Sequence, residues 1–177
     1  MKRLGIKIPF GTCTDTDAAE LVELGGDAAE GAYVLLGAYT LWDESNPAIK
    51  WVNEHYRKYF KGRPGYDVAK RPYPDGVWYV GWQISVIMEE AIRLALEKVN
   101  PDKLTGKKLR DLGIFRMKGF DANGLLSKEA GITYYPHEDH RGGQYSVLHR
   151  VKDLKDSTVT GWRKSPKLLP DWMKKSK

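Results

Sequence analysis

At 177 residues the chain is one domain or parts of two, and its 41% hydrophobic content is enough for a packed core. A single cysteine, Cys13, excludes a disulfide framework and a cysteine zinc site. The net charge of +6 favours acidic partners only weakly, because Lys164, Lys167, Lys174, Lys175 and Lys177 crowd the C-terminal end, where a charged tail is solvated.

The opening run, Met1 to Phe10, is too polar to read as a signal peptide, and no stretch approaches a transmembrane span. Lys7 to Cys13 is short, apolar in its middle, and predicts a strand. Thr14-Asp15-Thr16-Asp17 is rich in N-cap types. Ala18 to Leu24 then predicts a helix, stopped by Gly25-Gly26. The continuous apolar run Ala32 to Tyr39 predicts a strand buried on both faces.

Asn46-Pro47 opens the next helix, with proline where its missing N–H costs nothing. Ile49, Val52, Tyr56 and Phe60 recur at helical spacing, and Gly62-Arg63-Pro64-Gly65 ends the segment. Gly76 to Val99 predicts a long, well-buried helix with Val80, Ile84, Ile87, Met88, Ala91, Leu94 and Ala95 on one side. Thr105 to Leu112 reads as a short helix. From Ile132 the pattern is strand-like, and the end is coil rich in proline and lysine. Strands alternating with helices give an α/β protein, with few strands for a doubly wound sheet.

Several segments carry chemistry. Thr12, Cys13, Thr14, Asp15 and Thr16 occupy a strand-to-helix turn, where free backbone N–H groups suit a carboxylate and Asp15 suits an ammonium group. Plain N-capping by Asp15 or Asp17 explains the same residues. Trp78, Tyr79 and Trp82 can line a cleft, although aromatics at helical spacing more often fill a core. Tyr39 leads Thr40, Leu41 and Trp42 after the apolar strand, as a hinge or cleft wall. His137-Glu138-Asp139-His140 invites a metal or acid–base reading. Pro136 before it and Gly142-Gly143 after it favour a structural loop instead.

In order along the chain, these segments resemble one family. Gly25-Gly26-Asp27-Ala28-Ala29-Glu30-Gly31 resembles a junction of type 1 periplasmic solute-binding proteins, the branched-chain amino-acid receptors of ABC transporters. Asn46-Pro47 with its helix resembles the segment after that family's crossover strand. Trp78-Tyr79-Val80-Gly81-Trp82-Gln83 resembles its aromatic-Gly-Tyr-Asp-Ala segment, with Trp82 and Gln83 departing from Tyr-Asp. Gly131-Ile132-Thr133, then Asp139 to Gly143, resembles a loop of its amide- and amino-acid-binding branch.

The resemblance implies the C-terminal portion of a two-lobed α/β fold with incomplete sheets. Residues 1–33 would belong to the second lobe, 34–133 to the first, 134–164 to the return into the second, and 165–177 to a tail. It implies non-covalent capture of a branched-chain amino-acid-like or amide solute in an interlobe cleft, with no catalysis, no cofactor and no metal. The ligand contacts would come from Thr12 to Thr16, Tyr39, Trp78, Tyr79 and Trp82. Thr14 stands near a position where some members place a carboxylate for the ligand's amine, so Asp15 must substitute if the solute is an α-amino acid. The implied partners are a solute and an ABC permease, with no nucleic acid and no membrane insertion. The implied location is periplasmic, or cytoplasmic if the chain is made as written. Such a piece alone is expected to self-associate, or to pair with an N-terminal half, and to bind solute weakly.

Two other readings compete. One is a small cysteine-dependent hydrolase using Cys13, with His137 or His140 as base. The other is a nucleic-acid-binding module built on the basic-aromatic run from Arg57 to Tyr73, although no nucleic-acid-binding motif accompanies it.

Overall fold

A computed structural model describes residues 10–13, 18–37, 41, 43–67, 69, 74–133 and 145–164. Gly11–Cys13 (β1) lies parallel to Tyr33–Leu36 (β2), with Thr12 opposite Val34 and Cys13 opposite Leu35. Ala18–Gly25 (α1) connects them and leads into a 3-10 turn over Gly26–Ala29. Gly31 then takes φ +84, a conformation that glycine adopts without steric cost, and its N–H reaches the carbonyl of Val151 at 2.9 Å.

Tyr145–Lys152 (β3) runs antiparallel to β2, and Lys155–Thr158 (β4) folds back on β3. The β3–β4 turn places Asp153 at φ 53 and Leu154 at φ 54, the paired positive values of a tight hairpin. Arg163–Lys164 (β5) pairs with the start of β3. The sheet order is therefore β1-β2-β3-β4, with one parallel pair and the rest antiparallel.

One face of this sheet is dry. Val34 and Leu36 of β2 join Val147 and Val151 of β3, with Ala18, Ala29 and Ala32, in a single apolar cluster. His149 lies on that face too, its Nδ1 3.0 Å from Oδ2 of Asp156 across the hairpin, both side chains nearly buried. Among the described residues nothing covers the other face. Leu35 is 44% exposed, so β2 is not the two-sided buried strand that its apolar run predicts. The physical reason is coverage: α1 packs on one side, and the Arg150 guanidinium, 5.5 Å from the Tyr33 ring, shares the other with water.

Pro47–Phe60 (α2), Gly76–Leu96 (α3) and Gly106–Leu112 (α4) make a second core. Asn46 caps α2 with its side-chain oxygen, accepting from the N–H groups of Ala48 and Ile49. Asp75 caps α3 through the N–H of Trp78, and Thr105 caps α4 through that of Lys108. Ile49 and Val52 of α2, Tyr79 and Ala91 of α3, and Met117, Leu125 and Ile132 of the following segment are buried together. Tyr145 and Trp162 pack against this core, and Trp162 also touches the sheet's cluster.

Periodicity puts Ile84 and Met88 on the buried side of α3, yet they are 57% and 40% exposed. Val77 and Ile92 share their outward stripe. Among the described residues α2, α4 and the segment 114–132 cover two sides of α3, and nothing covers the third.

Glu44, just before α2, shows how the helical unit is tied down. Its carboxylate accepts from Arg57 Nη1 at 2.7 Å and from Asn53 Nδ2 at 2.9 Å. The Arg57 contact, opposed by some desolvation and helped by Asn53, holds its carboxyl below the ordinary value of 4.5. A depressed folded value means the pair stabilises fully above the unfolded pKa and loses that contribution as pH falls through the folded one. Glu44 is 38% exposed, so the effect is roughly 1 kcal/mol or less. Glu44→Gln should therefore narrow the stability gap to wild type only below about pH 4.5 in urea melts, and leave it constant above.

Candidate functional site

The topology brings three chain segments to one edge of the sheet. β1 and β2 are parallel, so both point their C-terminal ends the same way. β3 is antiparallel and begins at that edge, with Val147 opposite Leu36. The carbonyl of Tyr145 lies 3.9 Å from where a side chain on Gly37 would start. The C-terminal ends of β1 and β2 and the start of β3 thus lie at one edge of the sheet. The carboxyl ends of parallel strands are where open α/β sheets take ligands.

Thr12 sits within β1 at intermediate exposure, and Cys13 ends the strand. Thr14, Asp15, Thr16 and Tyr39 lie outside the described residues, as do His137 to Gly143. Leu41, two residues past Tyr39, is 2% exposed and packs in the helical core.

Trp78, Tyr79 and Trp82 separate in space although they share one helix. Tyr79 turns into the core, 4% exposed, and its hydroxyl donates to the carbonyl of Leu125 at 3.1 Å. Trp78 and Trp82, one turn apart, stack with ring centroids 5.3 Å apart and an interplanar angle of 25°. They line a groove between α2 and α3, away from the sheet edge. The opposite wall comes from the end of α2: His55, Lys58, Tyr59 and Phe60, with Arg63 just beyond. Sequence reading does not join these to Trp78 and Trp82. The one signal for them is the alternation of basic and aromatic residues between Arg57 and Tyr66.

No family model matches the chain, and no curated protein matches it in sequence. Solved structures do. A branched-chain amino-acid ABC transporter protein from Thermus thermophilus with bound valine is 28% identical, at a TM-score of 0.67, and the match covers 93% of this chain. The chain carries part of the type 1 periplasmic binding-protein fold. A leucine-binding protein from Thermotoga maritima is 21% identical over 95% of the chain at a TM-score of 0.55. An extracellular ligand-binding receptor from Rhodopseudomonas palustris is 13% identical over 90% at 0.59. The chain spans only 41%, 40% and 43% of those three structures. Its share of the binding-protein fold is mixed α/β with an open sheet. Among the described residues no helix is long and apolar enough to cross a membrane.

Proposed function

We propose that this chain forms part of the solute-capturing body of an ABC importer receptor. It would hold an amino-acid-like or amide solute without covalent chemistry, at the edge where β1 and β2 end. The likeness to a valine-bound receptor over 93% of the chain carries the reading. The shared direction of the two strand ends supports it, since backbone N–H groups beyond a strand suit a solute carboxylate.

In this reading Thr12 to Thr16 and Tyr39 supply ligand contacts, and Asp15 takes the solute's ammonium group. Residues 1–33 and 134–164 build part of one lobe and 34–133 part of the other, with 165–177 a tail. Leu35, Ile84 and Met88, all exposed, mark surfaces for the remainder of such a receptor. An ABC permease would be the partner and the periplasm the working compartment.

The test is a chimera. The 41% of the Thermus thermophilus receptor that this chain matches is replaced by this chain, and ligands are titrated calorimetrically. Valine or leucine should bind saturably. Asp15→Asn should weaken valine by about 10–100-fold, the worth of one charged hydrogen bond, and leave isovalerate, which lacks the amine, unchanged. A folded chimera that binds neither amino acids nor amides overturns the reading, and a chimera that cannot fold counts against the shared architecture.

A further inference from the structure

The groove between α2 and α3 is a second place where chemistry gathers, and it lies outside the sheet edge discussed above. It encloses about 660 Å³, within the range of small-molecule sites. Its floor is the stacked pair Trp78 and Trp82. Trp51 meets Trp82 edge-on at 5.4 Å, and Tyr56 meets Trp78 edge-on at 5.7 Å, so both indoles are braced from behind. Phe60 is held between Tyr56 at 4.9 Å and Tyr66 at 4.2 Å. Rings fixed in this way present flat faces without losing rotamer freedom when a flat ligand arrives.

Among the described residues the charge around the rings has one sign: Lys58 and Arg63 are on the lining and no carboxylate is. Among the described residues neither cation has a carboxylate partner. Arg63 is parked with its guanidinium carbon 3.8 Å from the centre of the Tyr59 ring, which leaves its N–H edge for an acceptor. His55 Nδ1 lies 2.8 Å from the carbonyl oxygen of Trp51, so Nε2 is its remaining polar atom. The α2 C-terminus contributes about half a negative charge, which two full side-chain cations outweigh. The adjoining pocket beyond Trp82 holds Glu89, so an anion is directed to the Lys58–Arg63 end and away from the other.

We propose that this groove is a binding site for a planar aromatic carboxylate, its rings on Trp78 and Trp82 and its carboxylate between Lys58 and Arg63. A quaternary ammonium ligand suits aromatic walls as well, but the two cations at the rim repel it. An uncharged arene would use the walls and leave the cations idle.

The test is calorimetric titration of the full chain with three probes of one shape: 2-naphthoate, 2-naphthylmethanol and 2-naphthylmethylammonium. Naphthoate should bind saturably and about tenfold or more tighter than the alcohol, with the ammonium weakest and the preference shrinking at high salt. The exposed double variant Lys58→Ala/Arg63→Ala should bring naphthoate down to the alcohol's affinity without changing the thermal melt. Trp82→Leu should weaken both. Three results overturn the proposal: no saturable naphthoate binding at low millimolar concentration, equal affinity for all three probes, or an intact naphthoate preference in the double variant. A concentration-dependent dimer that occludes Trp82 also overturns it, since the groove would then belong to a second copy.

Discussion

Gly113→Ala is expected to lower the melting temperature by roughly 2–12 °C, the consequence of about 1–3 kcal/mol of overpacking in a chain of this size. Gly113 ends α4 and begins the 3-10 turn Ile114–Arg116. A methyl group there would start 2.2 Å from the carbonyl oxygen of Ala91 and 2.6 Å from that of Leu109. Both are helix backbone, so neither swings aside as a side chain can. Relief requires α4 to lift from α3, and Ala91, fully buried at that contact, loses its packing. Gly81→Ala gives the control. It sits exposed in α3 with nothing within 4 Å of an added methyl, so alanine should stabilise by about 0.5–1 kcal/mol through helix propensity. Opposite shifts for the two substitutions in circular-dichroism melts are the expected result. A Gly113→Ala protein that melts like wild type would mean α4 does not seat on α3 as described.

Local signals in the chain are readable where they decide structure locally. Asn46-Pro47 and Asp75 announce their helices because a side-chain oxygen meeting a free N–H is a short-range event. The order of motifs points to the periplasmic binding-protein fold, and the likeness to the Thermus thermophilus and Thermotoga maritima structures agrees with that order. What sequence does not show depends on neighbours far along the chain. The apolar run of β2 looks buried on both faces, yet only tertiary coverage decides whether Leu35 meets a helix or water. Ile84 and Met88 of α3 pose the same problem on a helix. The Asp153-Leu154 hairpin turn escapes notice because leucine rarely takes positive φ, and the β3–β4 register forces it to. Of the groove, Trp78 and Trp82 stand out in the sequence and their partners on α2 do not. Residues 55–63 lie about twenty positions earlier, and only the packing of α2 beside α3 joins them.

Asn53 ties Leu41 and Glu44 to the helical core, and its replacement should produce the second large effect. It is fully buried. One amide nitrogen, Nδ2, donates both to the carbonyl of Leu41 at 2.8 Å and to Oε1 of Glu44 at 2.9 Å. Those acceptors stand just before α2, so the amide fixes how the chain enters that helix. Asn53→Ala deletes both donors, leaves the Leu41 carbonyl buried and unpaired, and opens a small void, at a cost of about 2–4 kcal/mol. Asn53→Asp keeps the volume and inverts the chemistry. An ionised carboxylate would face a carbonyl and a second carboxylate with nothing to donate, so at neutral pH it should cost at least as much as alanine. Once protonated, the new carboxyl regains one donor. Burial and Glu44 both push its folded pKa above its unfolded value. Stability relative to wild type should therefore be lost as pH rises and partly recovered as pH falls. Urea unfolding from pH 4 to pH 7 is the measurement. The penalty of Asn53→Asp should grow across that range while that of Asn53→Ala stays nearly flat, and parallel profiles for the two would place the amide's importance in its shape rather than in its donors.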